Sequence, residues 1–222
     1  MIGLERSVKI RLLAAVAWAF LWGIALAQPQ VTLLDRQRFE GDELGAPEGY
    51  THKLRLAVVL LAESGWTRQR AVVSVLQASP ILGQCGVALE RVEFFVLAVP
   101  ATHLDFSTPI ARELASAYSV PKPAVYLVRD TTSRPAFDSE AIGRGNSGTR
   151  PEIADTVWMT SKVRDPGVAF AHELAHVLMD SGEHAQEEGN LMRDETSPGN
   201  KRLSAAQCAR LLDKGKANGL LR

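Results

Sequence analysis

Apolar runs rich in β-branched and aromatic residues alternate along this 222-residue chain with segments of helical periodicity. The extended runs lie at residues 53–63, 87–99, 123–130 and 155–161. The helical segments lie at residues 66–86, 108–120, 165–181 and 203–219. Strands that alternate with helices are typical of one layered α/β domain, which is the fold class predicted here. The length suffices for a single domain with a sizeable core.

Residue types at the helix ends mark where the helices start and stop. Thr108 is the expected N-cap of the second helix, with Pro109 at the first helical position. Ser204 and Gln207 have the spacing of a capping box at the start of the last helix. Pro80 is expected to break the first helix, because proline lacks the N–H that an interior helical position donates.

The N-terminus has the layout of a secretory signal peptide. Three basic residues lie within the first 11 positions, and residues 12–27 then carry no charge. This segment ends in Ala25-Leu26-Ala27, with small residues at the two positions that a signal peptidase reads, so cleavage is predicted after Ala27. The alternative is an uncleaved anchor. A membrane span needs about 20 apolar residues, and the uncharged run of residues 12–27 is shorter than that. We therefore expect a secreted or periplasmic protein without stable membrane association.

Two cysteines, Cys85 and Cys208, follow the predicted cleavage site. An exported chain with two cysteines most simply forms one disulfide, and two buried free thiols are the alternative. The formal net charge of zero gives no basic excess that would indicate a nucleic-acid partner.

Two polar stretches interrupt the regular pattern. Residues 28–50 are expected to form an extended or irregular lead-in, which leaves residues 51–222 as the functional domain. Residues 130–152 are rich in Gly, Ser, Arg and Pro and are expected to form a loop with a short edge strand around Ser139–Gly143.

The third helical segment carries the residues with the clearest chemistry. Asp165 is a suitable N-cap, Pro166 a suitable first residue, and Gly182 the expected end of the helix. Within it, His172 and His176 are four residues apart and therefore lie on the same face.

The pattern His172-Glu173-x-x-His176 is typical of zinc hydrolases. A zinc ion held by three protein groups keeps a fourth position for water and lowers the pKa of that water. Glu173 lies beside the two histidines, where its carboxylate could accept the proton of the water as it attacks a carbonyl group.

From His172 to Met192 the sequence resembles the metzincin clan of zinc metalloproteases. The resemblance implies that His172 and His176 are metal ligands, that Glu173 is the general base, and that Met192 is the methionine of the turn beneath the metal. It further implies a zincin-like domain, in which a twisted mixed sheet carries an antiparallel edge strand above the cleft, with an active-site helix and a C-terminal helix.

The third ligand departs from the pattern of that clan. The position of the third histidine is Gly182 here, and a histidine, His184, follows two residues later. If Gly182 turns the chain, His184 can return to the metal, so we expect it to be the third ligand. The acidic alternatives are Asp180, Glu183, Glu187, Glu188 and Glu195, and the last of these would resemble the thermolysin-like gluzincins.

These observations predict an exported zinc metalloendopeptidase with a protein or peptide substrate. The alternatives are a zinc-stabilised binding module without turnover and a gluzincin-like peptidase with an acidic third ligand. Only a peptidase needs Glu173, because a binding module has no proton to transfer.

Overall fold

The structure is a computed structural model that describes residues 30–44, 49–131, 139–145 and 147–222. The predicted signal peptide at residues 1–27 lies outside the described residues, so its cleavage stays a prediction. In the part of the chain that is described, no helix has both the length and the apolar character needed to cross a membrane.

The described residues contain eight strands and four α-helices, which confirms the α/β class. The strands are β1 Thr32–Glu40, β2 His52–Leu61, β3 Val87–Ala98, β4 Asp105–Phe106, β5 Ala124–Val128, β6 Asp130–Thr131, β7 Ser139–Ile142 and β8 Thr156–Thr160. The helices are α1 Arg68–Gly83, α2 Thr108–Ala117, α3 Pro166–Met179 and α4 Ala205–Ala217.

Six of the strands form one mixed sheet in the order β1-β3-β2-β5-β8-β7. The four inner strands are parallel to one another, and the edge strands β1 and β7 are antiparallel to their neighbours. Every residue of β5 and β8 is buried, which explains why these strands read as continuous apolar runs. The short strands β4 and β6 form a separate parallel pair.

The helices cover both faces of the sheet. One apolar cluster joins α1, α3 and α4 to one face, and a second joins α2 to the other. Trp158 in β8 points into the second cluster, where it stacks on Tyr126 of β5 with 4.1 Å between ring centroids. The predicted edge strand is confirmed as β7, and it lies beside α3.

The predicted lead-in over residues 28–50 is extended in its first part, where β1 pairs with β3 along Thr32–Glu40. Most side chains of β1 are exposed, so the strand lacks the apolar alternation that would have revealed it. Polar contacts hold it instead, among them the ion pairs of Arg36 and Arg38 with Glu93 of β3.

Pro80 does not break α1, which continues to Gly83. Pro80 and Leu76 both lie on the exposed face, so water can bind the carbonyl group that loses its helical partner. The start of α2 is shifted by one residue from the prediction, with Ser107 rather than Thr108 as the N-cap.

The end of α3 also differs from the prediction. The helix stops at Met179, and Asp180 rather than Gly182 adopts the left-handed conformation, with φ of 47°. The short polar side chain of aspartate tolerates this conformation better than most residues do. The predicted start of α3 at Asp165 and the capping box of α4 are confirmed.

The predicted disulfide is confirmed. It joins Cys85, just after α1, to Cys208 in the first turns of α4. The two cysteines are 123 residues apart, so the bond restricts more than half of the chain in the unfolded state.

Replacing both cysteines by serine should lower the free energy of unfolding by about 2–4 kcal/mol, since the unfolded chain regains the freedom that the bond removes. Urea denaturation followed by circular dichroism measures the change. A thiol reductant should produce a similar loss in the parent protein and none in the double variant. Equal denaturation midpoints for the parent and the double variant would contradict this expectation.

Candidate metal centre

Helix α3 contains three of the predicted site residues and lies in the interior of the domain. All of its residues from Gly167 to Met179 are buried, because it packs against α1, α4 and β7. A helix that is apolar on nearly every side must be covered on every side. His172 and His176 are therefore buried polar groups that require partners.

The structure brings three histidines together at one point. The Nε2 atoms of His172 and His176 are 2.9 Å apart, and those of His176 and His184 are 3.3 Å apart. Among the described residues, these three form a group whose candidate ligand atoms all lie within 4.8 Å of one another. The late position of His184 in the sequence therefore does not keep it from the other two.

The turn after α3 explains how His184 returns. The left-handed Asp180 reverses the chain, and the N–H of Ser181 donates to the carbonyl oxygen of His176. The N–H of Ala185 then donates to the carbonyl oxygen of Met192 over 2.7 Å. His184 is thus held between the helix end and the segment around Met192.

The other ring nitrogens show which tautomers are present. His172 Nδ1 lies 2.7 Å from the carbonyl oxygen of Leu191, and His176 Nδ1 lies 2.6 Å from that of Ser181. A carbonyl oxygen only accepts, so both Nδ1 atoms carry the proton and both neutral rings direct a bare Nε2 lone pair at the cluster. Lone pairs at 2.9 Å repel each other unless a cation lies between them.

A proton shared between the Nε2 atoms of His172 and His176 is disfavoured as that cation. Burial lowers the pKa of His172, and it lowers the pKa of His176 to about 4. Both rings are therefore neutral near pH 7, which is the form that binds a metal.

His184 is the exposed member of the group. Its side chain is 33% exposed, and its Nδ1 lies 3.5 Å from a carboxylate oxygen of Asp194. Each of the three rings thus has an oxygen partner near Nδ1, which is the usual arrangement around metal-binding histidines.

Glu173 lies at the same cleft, next to the histidines. Its carboxylate oxygen Oε1 accepts a hydrogen bond of 2.7 Å from the hydroxyl group of Ser139 in β7. Burial raises the pKa of the Glu173 carboxyl, and neighbouring His176 together with the Ser139 hydrogen bond opposes this rise. Ser139 has no motif around it that could have revealed this contact from the sequence.

The acidic alternatives for the third ligand lie outside the group of three histidines. Asp180 accepts a hydrogen bond from the backbone N–H of Gly145, and Glu183 pairs with Arg210. Glu195 lines the cleft without joining the group. Glu187 and Glu188 are exposed.

Met192 is 1% exposed and belongs to the large apolar cluster that contains α3. It follows Leu191, whose carbonyl group orients His172. The turn therefore contacts the site through backbone carbonyls, while the role of the Met192 side chain beneath a metal stays a prediction.

The three histidines line a cleft with a volume of about 950 Å³. The described residues of its wall include six carboxylate side chains and one basic side chain, Arg164. The carboxylates are those of Glu140, Asp165, Glu173, Asp180, Asp194 and Glu195. The edge strand β7 forms one side of this cleft.

No protein-family model matches the chain, and comparison with known proteins finds partial likenesses. The chain is 29% identical over 202 residues to ribonuclease Z of Thermobifida fusca (strain YX), a match that covers 81% of this chain and 59% of that protein. It thus spans about three fifths of this curated relative. The solved structure of metalloproteinase-II from Bacteroides fragilis superimposes with a TM-score of 0.54 and 19% identity. That superposition covers 76% of this chain and 55% of the other, and it shows a shared fold.

The purified protein should contain one divalent metal ion per chain, and replacing His176 or His184 by alanine should remove it, since two imidazoles hold a metal far more weakly than three. Metal content by mass spectrometry measures this. His103→Ala is the control, because His103 pairs with Glu113 and is not one of the three clustered histidines. A full metal content in His184→Ala would show that another group supplies the third ligand.

Proposed function

We propose that this chain is an exported zinc-dependent metalloendopeptidase with a metzincin-like active site. The observation that carries the proposal is the convergence of three imidazoles beside a buried glutamate in an open cleft. Three nitrogen ligands with an open fourth side are the arrangement of catalytic zinc sites.

The donor set fits zinc. His172, His176 and His184 would hold the ion through Nε2, because their Nδ1 atoms already face oxygen partners. Imidazole is a common ligand of zinc, whereas magnesium and calcium prefer oxygen ligands. When bound, the ion would supply Lewis-acid chemistry and lower the pKa of a water molecule.

The remaining steps belong to the chain's own residues. Glu173 would accept the proton of the attacking water and pass it to the leaving amine. The hydroxyl group of Ser139 bonds to one carboxylate oxygen of Glu173 and so fixes its orientation. An extended peptide would pair with the edge strand β7, where it would pass the three histidines.

The charge of the cleft favours a peptide over a nucleic acid. Ribonuclease Z, by its name, acts on RNA, and an RNA-binding cleft neutralises phosphates with lysine and arginine. In the described part of the wall, six carboxylates face a single arginine. Such a wall repels a polyanion and attracts peptides with basic side chains.

Burial of Glu173 argues against a binding module without turnover. A carboxylate that is buried without a full ion pair destabilises the fold. Glu173 accepts the Ser139 hydrogen bond, and among the described residues no arginine or lysine pairs with it. A module that used zinc only for stability would not benefit from a buried carboxylate that destabilises the fold.

Export is part of the proposal, and it rests on the N-terminal sequence together with the disulfide. Disulfides persist in oxidising compartments outside the cytoplasm. The Cys85–Cys208 bond therefore agrees with a secreted or periplasmic protein. The proposed partner is a protein or peptide substrate, without a nucleic-acid or stable membrane partner.

Replacing Glu173 by glutamine should reduce peptide hydrolysis by about 10²–10⁴-fold, because the amide cannot take up the proton. Zinc content should stay the same, since Glu173 is not among the three ligands. Turnover of a fluorescent protein substrate, measured beside metal content, tests both parts. Glu93→Gln is a matched control, because Glu93 is also a buried glutamate but lies in β3, paired with Arg36 and Arg38. Equal hydrolysis by Glu173→Gln and the parent would contradict the mechanism.

The substrate class is tested on the parent protein with labelled RNA and with a mixture of peptides. We expect cleavage of peptides only, with faster cleavage of those that carry lysine or arginine. RNA cleavage that disappears in Glu173→Gln would overturn the peptidase proposal, because it would assign the same site to phosphodiester hydrolysis.

A further inference from the structure

The turn formed by Asn190, Leu191 and Met192 contacts the ring of His172 and the backbone next to His184 through consecutive carbonyl groups. The carbonyl oxygen of Leu191 lies 2.7 Å from Nδ1 of His172. The carbonyl oxygen of Met192 accepts a hydrogen bond of 2.7 Å from the N–H of Ala185, the residue after His184. The position of this turn therefore affects where the His172 ring and the backbone next to His184 lie.

The side chain of Asn190 hydrogen-bonds to the backbone of its own turn. Asn190 is 6% exposed, and its Oδ1 atom accepts a hydrogen bond of 2.8 Å from the N–H of Met192. Only the oxygen of the amide can accept this bond, so the orientation of the amide group is determined.

Gln207, in the first turn of α4, pairs with the side chain of Asn190. Its Oε1 accepts from the backbone N–H of Ser204 over 2.8 Å, which fixes the orientation of the Gln207 amide. The two amides then pair in both directions: Gln207 Nε2 donates to Asn190 Oδ1 over 3.0 Å, and Asn190 Nδ2 donates to Gln207 Oε1 over 3.1 Å.

We propose that Gln207 is a positioning residue for the metal centre, acting through Asn190 on the carbonyl groups of Leu191 and Met192. The inference rests on the proposed metal site and adds a residue that neither the His-Glu-x-x-His pattern nor the methionine turn contains. Because Asn190 Oδ1 accepts from both Gln207 and Met192, loss of the Gln207 donor frees the amide to rotate, and the turn loses its fixed position. Groups behind metal ligands commonly change metal affinity by about 10–100-fold.

The capping box gives two variants that separate positioning from helix stability. Gln207→Glu keeps an oxygen for the N–H of Ser204, and glutamate is a usual capping-box residue, so α4 should keep its stability. The variant lacks the Nε2 donor, however, and sets a carboxylate oxygen against Asn190 Oδ1. Ser204→Ala does the opposite, because it removes the hydroxyl group that accepts from the Gln207 N–H and leaves the amide pair intact.

The experiment measures the zinc dissociation constant by competition with a chromophoric chelator, and thermal unfolding of the metal-free protein. We expect Gln207→Glu to bind zinc about tenfold more weakly, with an unfolding temperature no lower than that of Ser204→Ala. Ser204→Ala should unfold at a lower temperature and bind zinc as the parent does. The added negative charge of Gln207→Glu would by itself strengthen zinc binding, so weaker binding cannot be a charge effect.

A second readout follows the ligand geometry directly. With Co²⁺ in place of zinc, the visible absorption spectrum of Gln207→Glu should differ from that of the parent, while Ser204→Ala should reproduce the parent spectrum. Equal zinc affinity and equal spectra for Gln207→Glu and the parent would overturn the role of Gln207. A parent protein that binds neither zinc nor Co²⁺ would instead overturn the proposed function.

Discussion

Burial of α3 on every side is the constraint on which the rest of the structure depends. The helix fills the space between α1, α4 and the edge strand β7, and its histidines are therefore removed from water. A buried imidazole must be neutral and hydrogen-bonded, and backbone carbonyls meet this need at Nδ1. The same bonds leave Nε2 bare, so packing alone prepares the nitrogen atoms for a cation.

Much of this arrangement could be predicted from local sequence patterns. Strands β5 and β8 are buried along their whole length, and the N-cap residues Asp165 and Ser204 lie at the starts of α3 and α4. Strand β1 could not be predicted in this way, because its exposed side chains pair through charges with a strand more than 50 residues away. The left-handed Asp180 was missed because glycine is the more usual residue at a helix end.

The candidate site shows the same division between local and distant contacts. His172, Glu173 and His176 share one helix, so their spacing alone places them together. The groups that hold them come from elsewhere: Ser139 from β7, Leu191 from a turn, and Asp194 from the loop beside His184. Leu191 acts through its backbone carbonyl group, which any residue could supply, and Ser139 has no motif around it. The sequence therefore reveals neither contact.

The disulfide and the proposed positioning residue are neighbours in α4, since Cys208 directly follows Gln207. The covalent bond fastens the first turns of α4 to the end of α1, and the amide pair of Gln207 and Asn190 fastens the same turn to the segment behind the histidines. Helix α4 thus connects the cross-linked part of the core to the turn whose carbonyl groups contact His172 and Ala185. Because the disulfide and the backbone N–H of Ser204 both hold this turn of α4, the amide pair keeps its orientation without the hydroxyl cap of Ser204.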